Sequence, residues 1–155
     1  MNEIRDIDEE LSQLSGMFPR VLTDLERYRD NHRFLLILSC AFAELLVSVL
    51  IEERCKHAAE INNRHRDYPL PIRLTVLHEL KVISDDEYVW LRWLRKRRND
   101  AAHKAEFKVS DQMLPDWGGN DHRSPEKLFS LCVNIIAVIW NRHVLLFREK
   151  LPLEA

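Results

Sequence analysis

Apolar residues recur along most of this chain at the three- and four-residue spacing that places them on one side of an α-helix. Glycine, which weakens helices, occurs only three times in 155 residues. No pair of turn residues separates two alternating apolar runs, so no β-hairpin is predicted. The pattern predicts an N-terminal helical hairpin over about 1–30, built from two helices at 3–15 and 19–30. It also predicts a central apolar helix over 32–58, a short helix over 71–82, and two further helices over 85–105 and 125–150.

The predicted fold class is all-α: a single-domain bundle of about four long helices plus one or two short ones. A chain of 155 residues suits one core and leaves little room for a second domain. Local signals mark two helix starts. Ser84 and Glu87 form a capping-box pattern, and Ser124 with Pro125 supplies a cap and a first-turn proline. Between the helices, EINNRHRDYPLP (60–71) is predicted to be a polar loop.

The central helix contains an apolar run of 18 residues, FLLILSCAFAELLVSVLI (34–51), with a single charge at Glu44. This length only just reaches the lower limit for crossing a bilayer. A carboxylate near the middle of a membrane span costs about 2.5–3.5 kcal/mol. The run is therefore interpreted as the buried central helix of a bundle, and no membrane association is expected.

The composition restricts the class of protein and its compartment but does not indicate a function. Lys and Arg total 23 against 25 Asp and Glu, for a net charge of -2, which argues against a general nucleic-acid binder but leaves room for a local basic site. Cys40, Cys55 and Cys132 are widely spaced and odd in number, as in a reduced compartment. The acidic start of the chain lacks the pattern of a signal peptide. A cytoplasmic location is the resulting expectation.

Charge is concentrated in RKRRNDAAHK (95–104). On a helix at about 100° per residue, Arg98 falls near the centre of the apolar face, beside Leu91, Leu94 and Ala101. An unpaired guanidinium there would be costly, so Arg98 needs an anionic partner, a wet cleft or a ligand. Glu44, the lone acid of the central helix, is the candidate partner within the chain.

Asn99 and His103 are four residues apart and are therefore neighbours on the same helix. His103 lies about 140° around the helix from Arg98. The small side chains of Ala101 and Ala102 would allow another backbone to approach closely, as in an interhelical or intersubunit groove. Simpler interpretations remain for the members of this set: an Arg98–Glu44 ion pair, a helix-end histidine, and a solvated face over 92–97.

The ordered set Arg98-Asn99-Asp100-Ala101-Ala102-His103 resembles the motif of the HEPN superfamily, whose ribonuclease members carry arginine, a polar residue, three further residues and histidine near the end of a bundle helix. The likeness extends upstream. DNHRFLLILSCAFAELLVSVLIEE (30–53), followed by LPIRLTVLHELKVISDDEYVWLRWLRKRRNDAAH (70–103), is similar to the branch that contains the mannitol operon repressor-like proteins. The resemblance covers roughly residues 30–112.

This resemblance implies metal-independent RNA cleavage, in which a 2′-hydroxyl attacks the neighbouring phosphate. Histidine suits proton transfer at neutral pH because its ordinary pKa is about 6.5. His103 would then move protons, Arg98 would stabilise transition-state charge, and Asn99 would orient His103 or the phosphate. Three nearby cations are expected to contact RNA: Arg95, Arg97 and Lys104. Two acids, Glu44 and Asp100, are expected to support the site.

The implied partners are RNA, a second copy of the chain in a homodimer, and a cognate antitoxin or a regulatory protein. Neither a metal nor a cofactor is expected, because the other histidines show no ligand spacing and no Gly-rich phosphate loop occurs. Toxin members often have tyrosine two residues after the histidine, where this chain has Ala105. Repressor-like members keep a similar string without an established cleavage role, so a non-catalytic transcriptional regulator acting through protein contacts is the alternative.

Overall fold

The computed structural model describes residues 17–109, 115 and 125–151 of the chain. All regular elements in these ranges are α-helices, which confirms the all-α prediction. In chain order they are α1 (Met17–Arg27), α2 (His32–Arg54), α3 (Ala58–Asn63), α4 (Leu70–Glu79), α5 (Asp85–His103), α6 (Pro125–Arg142) and α7 (Val144–Lys150). The helix predicted over 3–15 and the cap predicted at Ser124 lie outside the described residues.

Helix α2 forms the centre of the bundle and contacts every other helix described. Its side chains are buried on most sides, including Leu36, Leu46 and Leu50, each at most 1% exposed. Trp140 of α6 stacks on Phe18 of α1 within the core. A helix that is apolar nearly all round must be surrounded in this way to remove its surface from water.

Helix α2 is also long and apolar enough to cross a membrane by length and composition alone. In the most apolar 18-residue window, however, 61% of the residues are buried inside the fold. The core helix of a soluble protein has the same length and composition. The burial matches the bundle interpretation of FLLILSCAFAELLVSVLI.

Helix α5 begins at the predicted capping box. The Ser84 side chain accepts a hydrogen bond from the Glu87 backbone N–H at 3.2 Å, and the Glu87 carboxylate accepts one from the Ser84 backbone N–H at 2.7 Å. Glu87 is fully buried, and Arg142 of α6 forms an ion pair with it at 2.8 Å. The start of α5 is therefore fixed by its own capping box and by the ion pair with α6. Leu91 and Leu94 point into the core that α2 dominates.

Two predicted helices differ from the structure. The helix expected over 32–58 ends at Arg54, and α3 (Ala58–Asn63) extends into the segment 60–71 expected to be a polar loop. A contact from outside the segment supports α3, since Asn62 Nδ2 donates to the Ser48 carbonyl of α2 at 3.0 Å. The helix expected over 125–150 is broken at His143, where the axes of its two parts meet at 91°. Helical periodicity continues across both breaks, so it could not show them.

Helix α4 ends in a left-handed residue, Lys81, with φ 58°. The Val82 backbone N–H donates to the Leu77 carbonyl and the Lys81 N–H to the His78 carbonyl, both at 2.9 Å. These two bonds, with buried Val82 following, make a Schellman ending, in which glycine is the usual left-handed residue. The turn directs the chain straight to Ser84 and the start of α5.

Candidate functional site

Arg98 and Glu44 form the ion pair that the sequence predicts. Arg98 Nη2 lies 2.7 Å from Glu44 Oε1, joining α5 to the middle of α2. The two side chains are 33% and 30% exposed, so the pair sits at the rim of the core. By contrast Lys96, two residues earlier, is exposed. The contact uses only one of the five N–H donors of the guanidinium.

The surroundings keep Arg98 charged. Burial opposes its charge, but hydrogen bonding with Cys40 and Glu44 outweighs burial and raises the pKa of Arg98 above its ordinary value. The Cys40 thiol lies 3.9 Å from Glu44 Oε1 and donates towards it. Burial raises the pKa of Cys40, so this thiol stays protonated. The site thus has a fixed positive charge with a neutral thiol beside it.

A second arginine, Arg73 of α4, lies near the same carboxylate. Arg73 is only 2% exposed, and its Nη1 donates to Ser48 Oγ at 3.3 Å. Burial lowers the pKa of Arg73, while the charge of Glu44 raises it. Glu44 therefore stabilises two guanidinium groups, Arg98 by direct contact and Arg73 through its charge. Sequence reasoning missed Arg73, although its spacing from Leu70, Leu74 and Leu77 places it on the apolar face of α4.

His103 is the last residue of α5, and its side chain is exposed. Asn99, one turn earlier, is partly buried. His103 follows Arg98 by five positions, which corresponds to about 140° around the helix and about 7.5 Å along it. Among the described residues no hydrogen bond links Arg98, Asn99 and His103. One chain therefore places the arginine and the histidine on different sides of α5.

Asp100 interacts with two of the cations expected to contact RNA. Its carboxylate lies 3.3 Å from Arg97 Nη1 and 3.4 Å from Lys104 Nζ, in spacings of three and four residues along the helix. The Arg97 side chain is only 12% exposed. Arg97 is therefore held against the protein, unlike the solvated residue that the charge pattern of 92–97 suggests, whereas Lys104 is mostly exposed.

The two alanines of the motif have different surroundings. Ala101 is fully buried within the chain, and Ala102 is exposed. Only Ala102 is therefore placed to let a second backbone approach closely. The groove expected beside Ala101 and Ala102 therefore has only one of these two small residues, Ala102.

Arg33 of α2 holds the end of α5 in place, and sequence reasoning did not identify it. Its Nη1 donates to the Ala101 carbonyl, and its Nη2 donates to the carbonyls of Lys104 and Ala105 at 3.0 and 3.2 Å. These are carbonyls at the end of a helix, which the helix itself leaves without partners. A cation at this end also favours the helix dipole. The backbone around His103 is thus fixed from α2.

No group of three or more metal-ligating side chains is found among the described residues. The chain matches no protein-family model, no curated protein and no solved structure. The resemblance to the HEPN superfamily therefore depends on the residues and helix order quoted from the sequence.

Proposed function

We propose that this protein is a metal-independent endoribonuclease of the HEPN toxin or defence type. The observation that carries the proposal is the state of Arg98: it is charged, fixed by Glu44 at 2.7 Å, and one third exposed, on the same helix as the exposed His103. A guanidinium fixed before the substrate arrives needs little rearrangement to stabilise developing negative charge. The remaining donors of Arg98 supply the contacts to a phosphate.

The reaction needs no group beyond the RNA and these side chains. The 2′-oxygen of one nucleotide attacks the adjacent phosphorus, and the bond from phosphorus to the 5′-oxygen breaks. His103 takes the proton of the 2′-hydroxyl, and the imidazolium so formed delivers a proton to the leaving 5′-oxygen. Arg98 stabilises the charge on the phosphorane-like transition state, and Asn99 orients His103 or the phosphate. The products are a 2′,3′-cyclic phosphate and a 5′-hydroxyl.

The proposed active form is a homodimer. Arg98 and His103 point to different sides of α5 within one chain, so a second copy is the natural source of the missing partner on each side. Ala102, exposed beside His103, permits close approach of the second copy. Each complete site would then combine Arg98 of one protomer with His103 of the other.

The test is cleavage of single-stranded RNA by purified wild-type protein and three variants, Arg98→Ala, His103→Ala and the double variant. Either single change should remove most of the activity, and the double variant should be little worse, because residues acting as a unit are not additive. Lys96→Ala is the control for loss of one positive charge on the same helix. Activity should persist in a chelator, with cyclic phosphate ends. A His103→Ala protein that cleaves at the wild-type rate would overturn the proposal.

A second candidate function is a non-catalytic regulator that binds protein through the same helices. One observation favours it: the Glu44 contact satisfies Arg98 within the chain, with no substrate required. Absence of RNA cleavage by the wild type, together with loss of a protein partner in Arg98→Ala, would support the regulator. A neighbouring antitoxin or nucleotidyltransferase gene would support the nuclease, and a sugar-transport operon the regulator.

A further inference from the structure

One side chain of α2 holds the segment of α5 that carries His103. Arg33 donates to the carbonyl of Ala101, two residues before the histidine. It also donates to the carbonyls of Lys104 and Ala105, which follow the histidine, at 3.0 and 3.2 Å. A guanidinium reaches several acceptors at once because its five N–H donors point in different directions within one plane. The contacts of Arg33 therefore lie on both sides of His103 along the chain.

The helix itself secures this segment only at its last turn. His103 is the last residue of α5, and Lys104 already has extended backbone angles, φ -92° and ψ 131°. A helical hydrogen bond closes the turn, from the Lys104 N–H to the Asp100 carbonyl at 3.0 Å. The end of a helix frays readily because its final carbonyls have no partners further along the helix. Contacts from outside α5 are therefore needed to fix the position of His103.

The same face of α2 also holds the arginine of the candidate site. Cys40 and Glu44 follow Arg33 by seven and eleven positions, so the three residues fall within about 40° around the helix. Glu44 pairs with Arg98 at 2.7 Å, and Cys40 hydrogen bonds with Arg98 as well. The central helix thus fixes the Arg98 side chain from its middle and the backbone of His103 from its first turn.

We propose that Arg33 is a positioning residue of the ribonuclease: by holding the backbone on both sides of His103, it sets the distance from the imidazole to the 2′-hydroxyl of the RNA. The inference rests on the proposed function for the reaction itself. Proton transfer requires the imidazole nitrogen and the hydroxyl oxygen to lie within about 2.6–3.2 Å. A shift of about 1 Å can lower the rate roughly 100-fold. In this role Arg33 acts through His103 and needs no contact with the RNA.

A capping role that serves stability alone is the alternative. The guanidinium lies at the C-terminal end of α5, where any cation favours the helix dipole. In that case Arg33 would stabilise the fold as a whole, and its loss would lower cleavage whether or not His103 is present. The two roles differ measurably, because only a positioning residue loses its effect on cleavage when His103 is absent.

The experiment is a mutant cycle between Arg33 and His103 in the full-length protein. Cleavage of a single-stranded RNA is measured for the wild type, Arg33→Met, His103→Ala and the double variant, with kcat and KM determined separately. Arg33→Lys keeps the charge but loses the planar fork of donors. Arg54→Met removes an exposed arginine from the other end of α2 and is the matched control. Urea unfolding verifies that every variant is folded.

Arg33→Met should lower kcat about 10- to 100-fold and change KM by less than about two-fold, because the geometry of proton transfer changes while RNA binding does not. In the His103→Ala background the same change should lower cleavage by less than about two-fold. Arg33→Lys should recover only part of kcat, since an ammonium group lacks the planar fork that spans these carbonyls. Arg54→Met should cleave as the wild type does.

Amide hydrogen exchange, followed by mass spectrometry, tests the Arg33 contacts without RNA. In Arg33→Met, exchange should become faster in the peptide that contains residues 101–106, because the end of α5 opens more often. Peptides from α6 should exchange as they do in the wild type. A uniform increase across the protein would indicate general destabilisation and would overturn the inference.

The inference also fails if folded Arg33→Met keeps the wild-type kcat, if it lowers cleavage equally with and without His103, or if Arg33→Lys restores kcat completely. Each of these results leaves the ribonuclease proposal standing, since the wild type still cleaves. Absence of cleavage by the wild type would instead reject the ribonuclease, and with it the positioning role of Arg33. Should Arg33→Met fail to fold, Arg33→Lys with His103→Ala completes the same cycle.

Discussion

Glu44 is the residue on which most of the polar organisation of the bundle depends. Its carboxylate receives Arg98 directly, accepts from the Cys40 thiol, and stabilises the charge of the buried Arg73 nearby. One negative charge thus offsets two positive ones. Removing it leaves Arg98 without its ion-pair partner and the buried Arg73 without the negative charge that stabilises it, which is worse than removing either arginine.

Glu44→Gln should therefore lower the free energy of unfolding more than Arg98→Ala does. We expect about 2–4 kcal/mol for Glu44→Gln, because a buried cation loses its compensating charge. We expect about 1–2 kcal/mol for Arg98→Ala, since that pair is one third exposed. Urea unfolding followed by circular dichroism gives both values.

Lys96→Ala is the control at the same helix, and it should change stability by no more than about 0.5 kcal/mol. Equal losses in Glu44→Gln and Arg98→Ala would contradict the idea that Glu44 also stabilises Arg73. The comparison also separates structure from chemistry, since a large loss of cleavage with a small loss of stability in Arg98→Ala supports a catalytic role.

At the scale of elements, the end of α4 carries avoidable strain. Lys81 adopts φ 58°, a conformation that costs a residue with a Cβ atom roughly 1–2 kcal/mol and costs glycine little. The neighbouring hydrogen bonds of the Schellman ending do not involve the Lys81 side chain. The turn is nonetheless retained because it places Val82 in the core and sets the start of α5.

Lys81→Gly should therefore stabilise the protein, by about 0.5–1 kcal/mol once the greater freedom of glycine in the unfolded chain is included. The measurement is the midpoint of thermal or urea unfolding. Lys81→Ala removes the same side chain but keeps the Cβ atom, so it should give no such gain. A gain of equal size in both variants would show that charge, rather than backbone conformation, is responsible.

The elements differ in how far the sequence could predict them. Helix α5 was predictable because the capping box and the apolar stripe are local signals, and the Arg98–Glu44 pair followed because Glu44 is the single acid of its apolar run. Helix α3 and the break at His143 were not, since Ser48 and Val82, which bond to Asn62 and His143, lie far away in sequence. Arg33 was missed for the same reason, since its partners lie in α5, whereas Arg73 was missed although its spacing in α4 was a local signal.

At the scale of the whole molecule, a single bundle presents two incomplete halves of the proposed site. Arg98 lies on the side of α5 that meets α2, and His103 lies at the exposed end of the same helix. In the proposed homodimer, symmetric pairing of two copies would give each half its partner, because a two-fold interface repeats every contact. A site shared in this way would make cleavage dependent on protein concentration.

Mixing Arg98→Ala protein with His103→Ala protein should therefore restore cleavage. Each mixed dimer has one site with both wild-type residues, and half of the dimers are mixed, so about one quarter of wild-type activity is expected. Subunits are exchanged before the assay, and sedimentation verifies the dimer. Each variant alone at the same total concentration is the control. No recovery from a mixture in which dimers are shown to exchange would contradict a site shared between protomers.

The contact of Arg33 with the end of α5 has a consequence for how related sequences can diverge. Because carbonyls of Ala101, Lys104 and Ala105 are held by a side chain from α2, the backbone around His103 is fixed by a contact with the central helix. Insertions or deletions after residue 109 should therefore accumulate in homologues without displacing the histidine. Substitutions of Arg33, which lies far from His103 in the sequence, should be rare in homologues.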